Sequence, residues 1–495
     1  MRQHPSTTPV RHLTTWHIVF VIVAAAAPLS AMVGTVPLAF AAGNGAGVPA
    51  AFAFAGLILL CFAVGYAVSV RRTGGNGGFY ASIADGLGRP AAAAGGYVAV
   101  LSYNAATIGL VGAQGYFTRL VLASHGIHVR WEVCALAGVA LVAVLGRREI
   151  TVSARLLALL MVGETGVLLV LDVAVLARHG SSALPAASFG HQATGTGLGV
   201  ALMFAFVSFI GFESAALYGG EAKHPRRNVV RATYAAVLLI SLFYALTSWL
   251  AVGAIGAGKV RATANEQLGN LFFVLAQDYL GTVGRIVLEV LLCTSLFAAM
   301  LALHSAANRY TQVLAADGLL PASLSARHPR YASPHRASAV QAALDMAAVA
   351  VFALAGLDPY ADMTTSMVGL GTLGIIVLQA AAALSVIGLL RHGADDGVGL
   401  GQRLVAPLLA LVGLTATVWL ILGNYTLLTG TDSAVVGALP WTLPALALSG
   451  AGYAWWLRTA RPETYRRLAG LDGDGRTAPA PAAPAAAEVS VTRPD

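Results

Sequence analysis

The sequence predicts an all-α integral membrane protein with about twelve transmembrane helices, on three observations. The chain has 495 residues, of which 57% are hydrophobic and 11% are charged, and its mean hydropathy is +0.74. A soluble globular protein carries about 25% charged residues, so this chain has too few polar side chains to cover a soluble surface. Its apolar residues fall into runs of roughly 20, the length that an α-helix needs to cross a bilayer. Most basic residues lie between these runs.

Twelve apolar segments qualify as membrane spans. The first of them, from Ile18 to Ala42, is too long for the apolar core of a secretory signal peptide and is followed by further spans, so we expect it to remain as the first helix. The predicted spans cover residues 15–42, 48–70, 95–123, 131–146, 151–177, 197–219, 231–256, 283–307, 337–356, 363–390, 404–424 and 436–457.

Basic residues predict the orientation of these spans. An even number of spans places both termini on one side, and 24 of the 30 lysines and arginines fall on that side. Because short cytoplasmic loops carry an excess of Lys and Arg, we expect a multi-pass protein of the cell membrane with both termini in the cytoplasm. Residues 1–13 and 458–495 are then cytoplasmic tails around a membrane domain at 14–457. The second tail is mostly disordered on this interpretation, because it is rich in Ala, Pro, Asp and Gly from Leu471 onward.

Several other classes of function lack their motifs in this sequence. Cys61, Cys134 and Cys293 lie far apart without CxxC or Cys/His spacing, so we expect no metal site. No HExxH, GxSxG or Walker A sequence occurs, which argues against an enzyme, a cofactor and ATP-driven transport. The net charge of +8 is explained by the cytoplasmic loops, so we expect no nucleic-acid partner. The sequence carries no indication of the oligomeric state.

Two spans contain residues that interrupt a helix. The first reads APLSAMVGTVPLAF, and we expect its break between Gly34 and Pro37, because proline lacks an amide hydrogen and glycine eases unwinding. The sixth reads GVALMFAFVSFIGFESAALYGG, with Gly211 between two aromatic residues. Glycines also serve close helix packing, but interrupted helices at matching positions of two halves are the best sequence indication of a transporter site. Freed amides at such a break bind a carboxylate, and freed carbonyls bind an amine or a cation.

Three segments resemble the amino acid–polyamine–organocation (APC) transporters. Residues 209–232 read FIGFESAALYGGEAKHPRRNVVRA, which is similar to the sixth helix and following loop of that family. Residues 77–90 (GGFYASIADGLGRP) resemble its loop after the second helix, and residues 306–338 (AANRYTQVLAADGLLPASLSARHPRYASPHRAS) resemble its loop after the eighth. With the span count, the resemblance covers about residues 15–457.

The resemblance implies two inverted five-helix repeats, the LeuT-like arrangement, at about residues 15–177 and 197–390, with two extra helices at about 404–457. It implies a secondary active transporter that moves amino acids by alternating access. The alternatives are a polyamine or organic-cation permease, a substrate exchanger, and an amino-acid sensor built on a carrier fold. The family commonly has Gly-Ser/Thr-Gly at the first break, where this chain has Val36 in place of the second glycine and Pro37 after it.

The resemblance places the substrate site between helices 1 and 6, with contributions from helix 3. Tyr103 and Thr107 share one helix face and either line the site or form hydrogen bonds between helices. Phe206 or Phe209 is the candidate gate, and Glu213 contacts a substrate amine, takes a proton or ties the unwound segment to another helix. The candidate substrate-binding residues are Gly34, Thr35, Val36, Tyr103, Asn104, Thr107, Phe206, Phe209, Gly211 and Glu213.

Two acidic residues of helix 5 and one cytoplasmic loop complete the prediction. Glu164 lies in an apolar run, where a charge costs about 2.5–3.5 kcal/mol on insertion scales and a protonated carboxyl avoids much of that cost. It is the candidate for proton coupling, with packing through hydroxyl hydrogen bonds as the alternative, and we expect Asp172 to be a solvated residue at the outer end. In the loop after helix 6, Glu221 pairs with Arg226 or Arg227 as a cytoplasmic latch.

Overall fold

The structure is a computed structural model that describes residues 14–73, 77–147, 150–213, 222–329, 331, 333–392, 399–430 and 433–470. These residues form α-helices joined by short 3-10 and π-helical turns, and no strand occurs among them. The α-helices are α1 (Thr15–Ala26), α2 (Pro28–Gly34), α3 (Val36–Ala42), α4 (Val48–Thr73), α5 (Gly78–Leu87), α6 (Arg89–Ser124), α7 (Trp131–Gly146), α8 (Ile150–His179), α9 (Leu198–Ser208), α10 (Pro225–Ile255), α11 (Val260–Gln267), α12 (Leu271–Ala316), α13 (His335–Leu354), α14 (Thr365–Gly388), α15 (Ala406–Gly423), α16 (Tyr425–Thr429), α17 (Ala434–Ala438), α18 (Thr442–Ala460) and α19 (Pro462–Arg467).

The helices confirm the prediction of an all-α, multi-pass membrane protein. Within the described ranges, nine helical stretches are long and apolar enough to cross a bilayer, and α7 and α9 are shorter apolar helices. Large apolar side chains on the outer helices face away from the protein. Examples are Leu238, Leu242, Val351 and Trp419, each of which is at least 58% exposed. A soluble monomer rarely exposes apolar surface on this scale, so these faces suit lipid. The count of twelve spans and the inverted repeats stay predictions.

The first span has a sharper break than the one the sequence predicted. This break lies at Ala27, which has left-handed backbone angles (φ 44°, ψ 70°), whereas the predicted place between Gly34 and Pro37 holds only the boundary of α2 and α3 at Thr35, which keeps right-handed helical angles. Pro28 occupies the first position of α2, and a proline excludes the preceding residue from the right-handed helical region. The chain stays helical through Thr35, whose amide donates to the Ala31 carbonyl at 2.9 Å. Pro37 is tolerated there because it lies in the first turn of α3.

Helix α6 occupies the centre of the bundle. It packs against α12, α14 and α18, and small residues let two of these helices come close. A Cβ atom added to Gly371 of α14 would lie 2.8 Å from the Ala106 side chain and from the Ser102 carbonyl of α6. Close helix approach through small residues is the usual packing device in membranes, where lipid removes the hydrophobic drive between helices. This packing fixes the position of α6 within the bundle.

The C-terminal segment folds back onto the loops at one end of the bundle. The Asp317 carboxylate accepts hydrogen bonds from the Tyr80 hydroxyl at 2.7 Å and from the Ala469 amide at 2.8 Å. Burial raises the pKa of the Asp317 carboxyl, and these two hydrogen bonds oppose the rise. The neighbouring Leu468 is completely buried, and the Arg89 guanidinium lies over the Tyr465 ring. Residues up to 470 are therefore part of the folded domain.

We predict that Leu468→Asp releases this segment. The substitution removes about 1.5–3 kcal/mol of apolar burial and places a carboxylate against an existing one. Limited trypsin digestion in detergent should then cleave at Arg466 and Arg467 faster than in wild type. Glu463→Gln is the matched control, because that side chain is 73% exposed and should leave the cleavage rate unchanged. If trypsin cleaved the Leu468→Asp variant no faster than wild type, the docked position of this segment would be contradicted.

Candidate binding cavity at two interrupted helices

The second interrupted helix breaks at Gly211, as its sequence predicted. Helix α9 ends at Ser208, and Gly211 has φ +104°, a conformation that L side chains rarely adopt. A Cβ atom at this position would also lie 2.8 Å from the Ala25 Cβ atom and 2.9 Å from the Ala25 carbonyl carbon and oxygen. Ala25 belongs to the last turn of α1, two residues before the break at Ala27. The two breaks are thus in direct contact, and glycine is what permits the contact.

The Glu213 carboxylate holds the second break together. Its two oxygens accept from the Gly211 amide at 3.1 and 3.3 Å, and one of them accepts from the Tyr103 hydroxyl at 2.7 Å. The side chain is almost completely buried, and Tyr103 stacks on Tyr310 of α12 at 5.1 Å between ring centroids. Glu213 therefore ties the unwound segment to α6, which was one of the roles predicted for it.

The first break has its own polar partner from α10. The carbonyl of Ala26 has lost its helical donor and instead accepts from the Tyr244 hydroxyl at 3.0 Å. Phe209 packs edge-on against the Tyr244 ring, with the centroids 5.4 Å apart. Tyr244 consequently touches both broken segments and links their positions.

Glu164 of α8 lies beside the first break. Its side chain is completely buried, and neither carboxyl oxygen has a hydrogen-bond partner among the described residues. The Ser295 hydroxyl and the Leu29 amide face the carboxyl without reaching hydrogen-bonding geometry. Ser30, in the first turn of α2, donates to the same Ser295 hydroxyl at 3.1 Å. A buried acid with unsatisfied oxygens next to a helix break is able to change its protonation when the break moves.

Asp172 differs from the prediction of a solvated residue. Its side chain is 5% exposed and accepts a hydrogen bond from Thr247 of α10 at 2.7 Å. The expectation was wrong because α10 covers this face of α8, a packing that the apolar pattern of α8 alone does not reveal.

A cavity of about 160 Å³ lies against both breaks. One water needs about 10–15 Å³ by the same kind of measure, so the space accommodates a small organic molecule. Its wall comes from α1, α2, α3, α6, α9, α12, α14, α16 and the π-helical segment Pro359–Thr364. The residues that contribute polar side chains are Ser30, Thr35, Ser208, Tyr360, Thr364 and Thr365.

The predicted site residues divide between this wall and the scaffold behind it. Gly34 and Thr35 line the cavity, whereas the others lie outside its wall. Asn104 and Thr107 donate within α6, to the carbonyls of Val100 at 2.7 Å and Tyr103 at 2.8 Å. The predicted residues outside the wall are Val36, Tyr103, Asn104, Thr107, Phe206, Phe209, Gly211 and Glu213.

Sequence reasoning did not select several residues of the wall. Ser30 and Ser208 each lie within three residues of a break. They were not selected because the prediction rested on the glycines and acidic residues of the same segments. Pro28 was the signal for Ser30, because it sets the break at Ala27, about two helical turns before Gly34. Tyr360 enters from the segment before α14, whose position in space no local pattern specifies.

An aromatic cluster separates the cavity from the end of the bundle where α4 ends and α6 begins. Phe62 stacks on Tyr66 at 5.2 Å and meets Phe79 and Phe212 at 6.4 and 6.0 Å between centroids. All four rings are buried, and the Tyr310 hydroxyl accepts from the Phe79 amide at 3.0 Å. Farther out, Arg72 pairs with the buried Asp85 at 2.8 Å. These contacts close that side of the site.

The predicted latch is only partly within the described structure. Arg226 and Arg227 lie in the first turn of α10 and are exposed. Glu221 lies outside the described residues, so its pairing with them stays a prediction.

A helical membrane bundle with two interrupted helices in contact beside a cavity has the form of a membrane transporter. Comparison with known families agrees. The chain belongs to the amino acid permease family, whose model matches residues 13–449. The resemblance to APC transporters is thereby confirmed.

Three similar proteins also carry transporter names. Two are uncharacterized transporters of Mycobacterium tuberculosis and Mycobacterium bovis, each 30% identical over 249 residues, which is 50% of this chain and 52% of the relative. The third is the vacuolar cationic amino acid transporter 4 of Arabidopsis thaliana, 29% identical over 221 residues, or 44% of this chain and 33% of that protein. The chain thus matches about half the length of the mycobacterial relatives and a third of the plant protein.

We predict that Gly211→Ala destabilises the protein. The variant forces a side chain into a left-handed conformation, which costs about 1–3 kcal/mol, and pushes it into the Ala25 backbone. Thermal unfolding in detergent should show a lower midpoint. Gly166→Ala is the control, because this helical glycine of α8 has no heavy atom within 4 Å of an added Cβ atom. That change should be neutral or stabilising by about 0.5–1 kcal/mol, and equal midpoints for the two variants would argue against the contact between the breaks.

Proposed function

We propose that this protein is a secondary active transporter that moves amino acids across the cell membrane by alternating access. The observation that carries the proposal is the contact of the two helix breaks, Gly211 against Ala25, beside a cavity of substrate size. The amino acid permease family supports the amino acid as substrate. In this proposal the chain has two inverted repeats, at about residues 15–177 and 197–390, followed by two extra helices. Each break then lies in the first helix of its repeat.

The substrate is held by wall residues and by backbone at the breaks. Gly34 and Thr35 line the cavity, and the Ser30, Ser208 and Thr364 hydroxyls offer lone pairs to a substrate amine. In this proposal the remaining predicted residues, including Val36, Asn104, Thr107, Phe206 and Phe209, form the support behind the wall.

Access alternates through movement of the two broken segments. The cavity lies on one side of the breaks, and the aromatic cluster of Phe62, Tyr66, Phe79 and Phe212 fills the other. Opening the second side requires these rings to separate. Glu213 is suited to transmit that movement, because its carboxylate joins the Gly211 amide to Tyr103 of α6. The exposed Arg226 and Arg227, with Glu221, complete a cytoplasmic latch in this proposal.

Proton coupling is assigned to Glu164. Its buried carboxyl faces the Leu29 amide and the Ser295 hydroxyl, so a movement of α2 changes the environment in which it holds or loses a proton. A neutral carboxyl is compatible with the occluded position, and an ionised one requires new partners or water. The proton would then be the co-transported ion.

We predict that Glu164→Gln abolishes gradient-driven accumulation. The amide has the shape of the acid but carries no exchangeable charge, so transport should run only down the substrate gradient. The measurement is uptake of radiolabelled amino acids into proteoliposomes with and without an inward proton gradient. Asp172→Asn is the matched control, since it neutralises another buried acid of α8 and should retain accumulation.

Three outcomes would contradict parts of this proposal. Unchanged accumulation by Glu164→Gln would assign Glu164 to packing. Loss in Asp172→Asn with retention in Glu164→Gln would transfer the coupling to Asp172. Uptake that requires substrate inside the vesicle and ignores the proton gradient would indicate an exchanger.

Both termini face the cytoplasm in this proposal, because most lysines and arginines lie on the side of the termini. We predict that green fluorescent protein fused after residue 495 is fluorescent and that alkaline phosphatase fused there is inactive. Fusion of alkaline phosphatase after Gly258, in the turn between α10 and α11, is the control and should be active. The reverse pattern would invert the assigned orientation.

A further inference from the structure

The wall of the cavity differs from what a cationic substrate requires. Among the described residues that line it, none is acidic or basic, and seven are alanines. The largest side chains of the wall are aliphatic or aromatic, such as Leu110, Leu296 and Phe204. A lysine, arginine or polyamine would bring a second cation into this space and would find no carboxylate on the wall.

The nearby buried acids do not remedy this lack. Glu213 lies outside the wall, and its oxygens are occupied by the Gly211 amide and the Tyr103 hydroxyl. Glu164 also lies outside the wall. It is next to Ser295, which in turn accepts a hydrogen bond from the wall residue Ser30, so it is nearer to the first break than to the apolar wall. An ammonium or guanidinium group on the substrate side chain would therefore remain buried and unpaired, which is strongly unfavourable.

The polar side chains of the wall are all uncharged hydroxyls, among them Ser30 and Thr35 next to the first break. Leu110 of α6 and Leu296 of α12 contribute apolar surface to the same wall. A ligand whose side chain is apolar and uncharged matches this composition. The volume of about 160 Å³ limits that side chain to moderate size.

We propose that the cavity selects amino acids with an uncharged, apolar side chain of moderate size and excludes basic amino acids and polyamines. This inference rests on the transport function proposed above. The proposed substrates differ from the cationic amino acids for which the plant relative is named, and from those of a polyamine permease. The zwitterionic end of the substrate meets the breaks, and its side chain meets the wall around Leu110.

The test is a competition experiment with Leu110 variants in proteoliposomes. Wild type should take up leucine, valine or methionine at least about tenfold better than arginine, lysine or putrescine, a difference of about 1.4 kcal/mol or more. Leu110→Asn should weaken leucine uptake without favouring arginine. Leu110→Asp has the same size as Leu110→Asn but adds a carboxylate, and it should raise the arginine-to-leucine ratio about tenfold over the Asn variant.

The possible failures are distinct. Wild-type uptake of arginine or putrescine equal to that of leucine would overturn the inference and leave the transport function intact. An unchanged ratio in Leu110→Asp, with the variant folded by thermal unfolding, would show that Leu110 does not face the substrate side chain and would also overturn it. No uptake and no thermal stabilisation by any member of the panel would overturn the proposed transport function, and the inference with it.

Discussion

The contact between Gly211 and Ala25 is the constraint on which the rest of the site depends. It brings two helix breaks, nearly 200 residues apart in the sequence, within van der Waals distance, and it is possible only because residue 211 has no side chain. Freed backbone groups then need partners, and the structure supplies them locally: Glu213 for the Gly211 amide and Tyr244 for the Ala26 carbonyl. In a membrane these partners are obligatory, because lipid provides no hydrogen bonds to an unwound chain.

These partners also connect the second break to aromatic side chains of other helices. The Glu213 carboxylate accepts a hydrogen bond from the Tyr103 hydroxyl, and the Tyr103 ring stacks on Tyr310. The Tyr310 hydroxyl accepts a hydrogen bond from the Phe79 amide. A displacement at the break consequently reaches the rings that close the other side, through contacts of known geometry.

The sequence predicted the membrane class and the break at Gly211 because composition and local chain chemistry determine them. It did not predict the break at Ala27, because Pro28 and Pro37 both lie in the first turn of a helix and the sequence alone does not show which of them follows a left-handed residue. It selected Glu213 for its charge but could not tell a substrate contact from a backbone cap. It did not select Ser30, Ser208 or Tyr360, because a cavity wall is assembled from helices that are distant in sequence, and no local pattern marks a hydroxyl as facing one.

The docking of the C-terminal segment has a consequence for how the protein is made. Tyr80, Asp317 and Ala469 come from three widely separated parts of the chain, yet they share one hydrogen-bond cluster. The ribosome adds Ala469 after Tyr80 and Asp317, so the Asp317 carboxylate has only the Tyr80 hydroxyl as a partner until residue 469 has been made. This face of the protein is therefore completed late, and a nascent chain stalled before residue 469 would present it uncovered to the cell's quality-control machinery.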